Sequence, residues 1–272
     1  MLQTSLRAGA LAWLLLSAAA PAFASDCPAH YVDGRLPEIR NSKLATATRE
    51  LCFGVFGVMH SGVTRTPLWS AEHLQADNLD AARELSRENS FHAESQLPPS
   101  QRAELSDYAR SGFDRGHMSP NGDMPDRQSQ RESFTLANMV PQDADLNRHV
   151  WAGIEGQVRK MAQKEGALYV ITGPAFIGAS LRKVGNVMVP SHVYKLVYSP
   201  RQRAGAAWFI ENRAQDQGQV RHKAISIASL EAAIGINLLP SLSPRQKDTM
   251  LLLPDIRRKS KRSESAGPSR IN

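Results

Sequence analysis

The run Phe113-Asp114-Arg115-Gly116-His117-Met118, bounded by Gly112 and by Pro120-Asn121-Gly122, sets an imidazole two residues from a guanidinium on what reads as a short strand and turn. Histidine titrates near neutrality, so His117 can take a proton from water. Arg115 stays charged at every physiological pH and can grip a phosphate through two parallel hydrogen bonds. Four residues make a weak pattern, and it gains strength only from residues downstream: Asn138-Met139-Val140-Pro141-Gln142, then Asp145-Leu146-Asn147, Trp151 and Glu155. Ser133 to Met139 reads as a second short strand, ended by Pro141. A helix runs from near Asp143, whose carboxylate suits free amide groups, to about Lys164, with Gly166 at its carboxyl end. On that helix Asn147, Trp151 and Glu155 stand at i, i+4 and i+8 and share one face. Their amide and carboxylate oxygens suit a hard ion such as Mg²⁺, which keeps most of its water and takes only one or two protein ligands.

Around this unit the chain reads as strands and helices of one domain. Leu51 to Val58 predicts a buried strand, 63–69 a second extended piece, and 75–97 a polar surface helix and loop. After the central helix, 167–172, 186–198 and 206–211 are rich in Val, Ile, Tyr and Trp and predict strands, so a sheet resumes. Val220 to Gly235 has helical apolar periodicity, and 237–253 holds a short helix.

The ends have a different character. Met1 to Ala24, with Arg7 before the apolar run Ala10 to Ala20 and Ala22-Phe23-Ala24 at its close, reads as a secretory leader, and no later stretch is apolar enough to span a bilayer. The expectation is therefore a periplasmic or secreted protein with no membrane segment, residues 25–255 forming the folded domain and 256–272 a disordered basic tail. Of the formal charge of +7, most lies in that tail, where Arg257, Arg258, Lys259, Lys261, Arg262 and Arg270 face only Glu264. The folded part is close to neutral, so nucleic-acid contact must come from local clusters or the tail. Export also predicts that Cys27 and Cys52 join in a disulfide, restricting the unfolded chain by on the order of 3 kcal/mol.

The ordered set of motifs resembles the DNA/RNA non-specific endonucleases with a ββα-metal finger, over most of residues 50–254. The resemblance implies an α/β (α+β) fold with a central antiparallel sheet flanked by helices. It implies His117 as general base, Asn147 as the single direct ligand of Mg²⁺ (Mn²⁺ as a substitute), Glu155 as the carboxylate orienting the ion's water, Arg115 as a phosphate contact and Asn138 as a positioning residue. Arg159, one turn beyond Glu155, and more weakly Arg65 are further substrate contacts by the same resemblance. DNA and RNA are the implied substrates, hydrolysed without reading sequence, and a homodimer is left open.

Plainer readings stand beside these. Asn147 alone is a capping residue, Glu155 can pair with Arg159 at i+4, and Trp151 reads as core. His60, His73, His92, His149 and His222 lack ligand spacing and are given no chemistry. Two rival functions remain: a non-catalytic nucleic-acid-binding protein on the same scaffold, and a phosphodiesterase acting on small nucleotides or phospholipids.

Overall fold

A computed structural model describes residues 25–179, 181–215, 224–254 and 256. In chain order β1 (Glu38–Ile39), β2 (Thr48–Cys52), β3 (Phe56–Ser61) and β4 (Thr66–Gln75) lead into α1 (Ala76–Arg83). Then come α2 (Leu105–Tyr108), β5 (Phe113–His117), α3 (Arg127–Ser133) and β6 (Met139–Asp143). A widened turn of π-helix, Leu146–Trp151, runs into α4 (Ala152–Glu165). The remainder is β7 (Ala167–Ala175), β8 (Lys183–Val184), β9 (Val187–Met188), β10 (His192–Ser199), β11 (Ala204–Glu211), α5 (Ile227–Ile234), β12 (Ile236–Asn237) and α6 (Pro244–Asp248).

Six strands form an antiparallel sheet in the order β11-β10-β7-β4-β3-β2. Its central strands are apolar on both faces because both faces are covered. Along β10, Val193 and Val197 join the core beneath α4 with Trp151, Ile154 and Val158, while Tyr194, Leu196 and Tyr198 face the opposite core with Trp69, Ile227 and Leu230. The period of two sorts side chains between the layers. Lys195 falls on the α4 side, between the two valines, and is 1% exposed. Helices on a central antiparallel sheet, with the β5–β6 hairpin set beside α4, make the α/β architecture expected from the motifs.

Several boundaries differ from the sequence reading. Leu51 to Val58 is a hairpin rather than one strand, broken at residues 53–55. Ser133 ends α3, and the second strand of the finger starts only at Met139 and continues through Pro141 to Asp143. Pro141 does not end it because a two-stranded ladder is all edge, where a missing N–H is tolerated. Asp143 does serve as the expected cap, its Oδ1 accepting from the amides of Asp145 and Leu146 at 2.9 and 3.1 Å. Gly166, at φ +87°, ends α4 as predicted.

The leader at 1–24 lies outside the described residues, as does the tail from 257 onward. Ile256, assigned to that tail, is instead 4% exposed and packs into the core beneath α4. The expected disulfide is also corrected. Cys27 and Cys52 are free thiols, the first buried and the second exposed. Among the described residues no helix is long and apolar enough to cross a membrane.

Candidate active site

Strand alternation puts Arg115 and His117 on one face of β5. That face meets an aromatic bed. The Arg115 guanidinium lies over the Phe91 ring at 4.1 Å, and Phe134 stands edge-on to the His117 ring at 5.0 Å, with Phe91 at 5.8 Å. Contact on these sides fixes the imidazole, and its Nε2 is buried with no hydrogen-bond partner in the protein. Burial first, then the charges of Arg87 and Arg115, lowers the His117 pKa to about 3. The ring is therefore neutral at pH 7 and can accept a proton. Gly116 is required by close packing: a Cβ there would lie 2.0 Å from Gln142 Oε1 on β6.

Asn138 is fully buried and works on backbone. Its Nδ2 donates to the carbonyls of Ser119 and Ser133 at 2.8 and 2.9 Å, and its Oδ1 accepts from the Ser119 amide at 3.0 Å. With Met118 N donating to Asn138 O at 3.0 Å, it braces the chain just beyond His117. Every polar atom of its side chain is used internally. Lys195 supports the same loop from below, donating to Met118 O at 3.3 Å and Thr172 Oγ1 at 2.7 Å.

Asn147 sits in the widened turn. Turns of this kind recur at functional sites. Its Nδ2 donates to Asp114 Oδ2 at 2.9 Å, tying the helix entry to β5, while Arg148 grips both oxygens of Asp114 at 2.8 and 2.6 Å. Burial alone would push the Asp114 carboxyl up. The hydrogen bonds from Arg148 and Asn147 outweigh it and hold the group below its ordinary value. Asn147 Oδ1 is thus the end of the amide left for a cation.

Glu155 lies two turns on, within a set of buried charges. Asp123, 4% exposed, accepts from Arg159 Nη1 at 2.9 Å, and Glu72 is 3% exposed. Burial raises the Glu155 and Glu72 carboxyls, with Lys195 and Arg159 pulling both back. A divalent cation at the site would favour the ionised form of Glu155 further. Arg87 adds positive charge felt by both His117 and Glu155. The donors on this helix, a carboxamide oxygen whose amide nitrogen is already engaged and the Glu155 carboxylate two turns on, match the oxygen chemistry of a hard divalent ion.

Sequence reasoning missed Arg87. It sits over the Phe134 ring at 5.1 Å, but in sequence it is one arginine in a polar stretch with no spacing to mark it. Arg65 is not brought in. It occupies the turn before β4 at φ +56° and gives its Nη1 to Arg102 O at 3.3 Å. Arg159 is close to Glu155 as expected, but its guanidinium is anchored by Asp123.

Comparison with known proteins fits this geometry. The family model described as DNA/RNA non-specific endonuclease matches residues 38–245. Nuclease C1 of Cunninghamella echinulata var. echinulata is 35% identical over 65% of this chain and 77% of its own. The mitochondrial nuclease of Saccharomyces cerevisiae is 30% identical over 69% of this chain and 64% of its own. A solved complex of EndoG with EndoGI shares the fold, with a TM-score of 0.64 and 24% identity over 74% of this chain and 89% of that one. Several curated relatives, among them nucleases of Schizosaccharomyces pombe, human and cattle, are mitochondrial by name, and the chain spans about 58–66% of their length. The expectation of a periplasmic or secreted protein is overturned by these relatives. Its only support, the leader, lies outside the described residues.

Proposed function

The chain belongs to the DNA/RNA non-specific endonuclease family, and from that premise we propose that it hydrolyses phosphodiester bonds inside DNA and RNA with the help of a divalent ion of the Mg²⁺ type. What supports the reading is a pair of fixed groups carried by one hairpin-helix unit. His117 is neutral with an unpartnered buried Nε2, and Asn147 is turned by Asp114 so that its oxygen is free.

In this reading His117 Nε2 takes a proton from the attacking water, which Phe91 and Phe134 keep in line by holding the ring. Asn147 would hold the ion directly and Glu155 would orient its water. When bound, the ion would offset negative charge on the phosphate and assist the leaving oxygen. Arg115 and Arg87 flank the imidazole and meet the phosphate. Charge that builds on its oxygens is stabilised by fixed cations, an effect often worth about 3 kcal/mol for one donor. Arg159, held by Asp123, keeps Glu155 in a positive field. Nothing in this set reads a base edge, which supports cleavage without sequence preference.

Supercoiled plasmid and single-stranded RNA incubated with the purified chain test the proposal, with and without chelator and with metal added back. Internal cuts in both polymers that vanish with chelator and return with Mg²⁺ are expected. Binding without cutting, or hydrolysis confined to small nucleotides or phospholipids, would overturn it.

A further inference from the structure

Cys27, His30 and Cys52 take no part in the proposed reaction, yet the fold gathers them. Both sulfurs and a ring nitrogen of His30 lie within 4.8 Å of one another. Cys27 caps the short 3-10 turn Pro28–His30, and i to i+3 in such a turn brings the cysteine and the histidine to the same side. Cys52 is the last residue of β2. Opposite it on β3 stands Gly57, where a Cβ would come 2.8 Å from Cys27 Sγ. That glycine makes the room the buried sulfur occupies.

The remaining contacts are those of a ligand set. His30 Nε2 lies 3.1 Å from Phe53 O. A carbonyl only accepts, so Nε2 carries the proton and Nδ1 keeps the lone pair. Histidines that bind metals commonly donate their other N–H to a backbone carbonyl in this way. Glu50, on the same side of β2 as Cys52, places Oε1 3.5 Å from Cys27 Sγ. That carboxylate is itself held by Ser25 Oγ and the Asp26 amide at 2.6 and 3.1 Å, and the two thiols and the imidazole make a borderline-soft set, unlike the oxygen donors at Asn147 and Glu155.

We propose that Cys27, His30 and Cys52, with water in the fourth position, bind a zinc-type divalent ion that pins the amino-terminal segment to β2. Metal–sulfur and metal–nitrogen bonds of about 2.3 and 2.0 Å in a tetrahedron set the donor atoms roughly 3.5–3.8 Å apart, and the three donors here all lie within 4.8 Å of one another. The two thiols are free rather than joined, so both sulfurs remain available as ligands.

The test uses the full chain, purified in reductant without chelator and equilibrated with Zn²⁺ alone or Co²⁺ alone. Expected are a single tightly held zinc per chain, kept in Asn147→Ala and lost in Cys52→Ser, and a thiolate-to-cobalt charge-transfer band absent from Cys52→Ser. Cys52 is exposed, so the serine variant should fold, which circular dichroism verifies. His30→Gln supplies a second variant, expected to weaken zinc binding by at least about tenfold. Absence of stoichiometric zinc in the wild type, zinc retained at full affinity by Cys52→Ser, a cobalt spectrum without the band, or a native mass showing the sulfurs joined would each overturn the proposal.

Discussion

Asn147 donates its Nδ2 to Asp114 Oδ2 at 2.9 Å, and this one bond sets which end of the carboxamide faces the site. The nitrogen is committed, so the oxygen is left for a cation. Arg148 fixes Asp114 in turn through two hydrogen bonds. Its side chain is 65% exposed, so solvent screens the ion pair and it adds little to global stability. The contribution of Asp114 is orientation.

Asp114→Ala should therefore shift the Mg²⁺ titration of nuclease activity upward by about 10- to 100-fold, the usual effect of losing a group that orients a ligand. The melting temperature should change little. An unchanged Mg²⁺ midpoint would show that the Asn147 amide needs no such anchor.

His117→Ala removes the base and leaves Arg115, Arg87 and Asn147 in place. Single-turnover cleavage of plasmid should slow by on the order of 10³-fold, within the usual range for general-base catalysis. Affinity for DNA, measured by filter binding in chelator, should stay within a few-fold. A variant that cuts at the normal rate would remove His117 from the chemistry.

The acid side of the rate profile depends on the same residue. Burial and the charges of Arg87 and Arg115 lower the His117 pKa to about 3, so the free enzyme keeps its base well below the ordinary histidine range. The profile of kcat/KM should not break near pH 6.5 on account of His117. Arg87→Gln removes one of the cations opposing protonation, so any acid limb due to His117 must move to higher pH, and a limb that moves down would contradict the assignment.

The sheet was legible because its strands are rich in Val, Ile, Tyr and Trp, and the Asp-Arg-Gly-His run could be placed on a strand from its glycine and proline boundaries. The finger's second strand was misplaced because Pro141 was given the weight it has in a central strand, where a ladder bond is at stake. The widened turn at Asn147 left no mark in sequence, and the contacts around it are tertiary: Asp143 caps its entry and Asn147 donates to Asp114 on β5. Arg87 was invisible for a similar reason, because only the folded chain brings it to Phe134 and His117. The cysteine pairing failed because it was inferred from a compartment and not from the neighbourhood of the thiols.

His60 predicts how stability depends on pH. It is 1% exposed, and burial lowers its pKa to about 4. The unfolded chain protonates this ring near pH 6.5, whereas the fold resists until about 4. As pH falls through that window the unfolded state binds the extra proton and stability declines, by on the order of 2 kcal/mol at pH 5. His60→Gln should lose less melting temperature between pH 7 and pH 5 than the wild type. An equal or larger loss would mean that the ring is not held neutral.

Gly116 and Gln142 test the tightness of the hairpin that carries the base. A Cβ at 116 would sit 2.0 Å from Gln142 Oε1 and 2.6 Å from its Cβ, and Gln142 is fully buried with nowhere to swing. Gly116→Ala should destabilise the chain by about 1–3 kcal/mol, the range for overpacking, and displace His117 enough to reduce cleavage. Gln142→Ala removes the Cγ methylene and a carboxamide whose atoms have no partner in the protein, so alone it breaks no hydrogen bond and costs only the cavity it leaves. Combined with Gly116→Ala it should recover part of the lost stability, although contact with the Gln142 Cβ would persist. Chemical denaturation of the two single variants and the double variant gives the coupling directly, and strictly additive losses would show that the clash is relieved elsewhere.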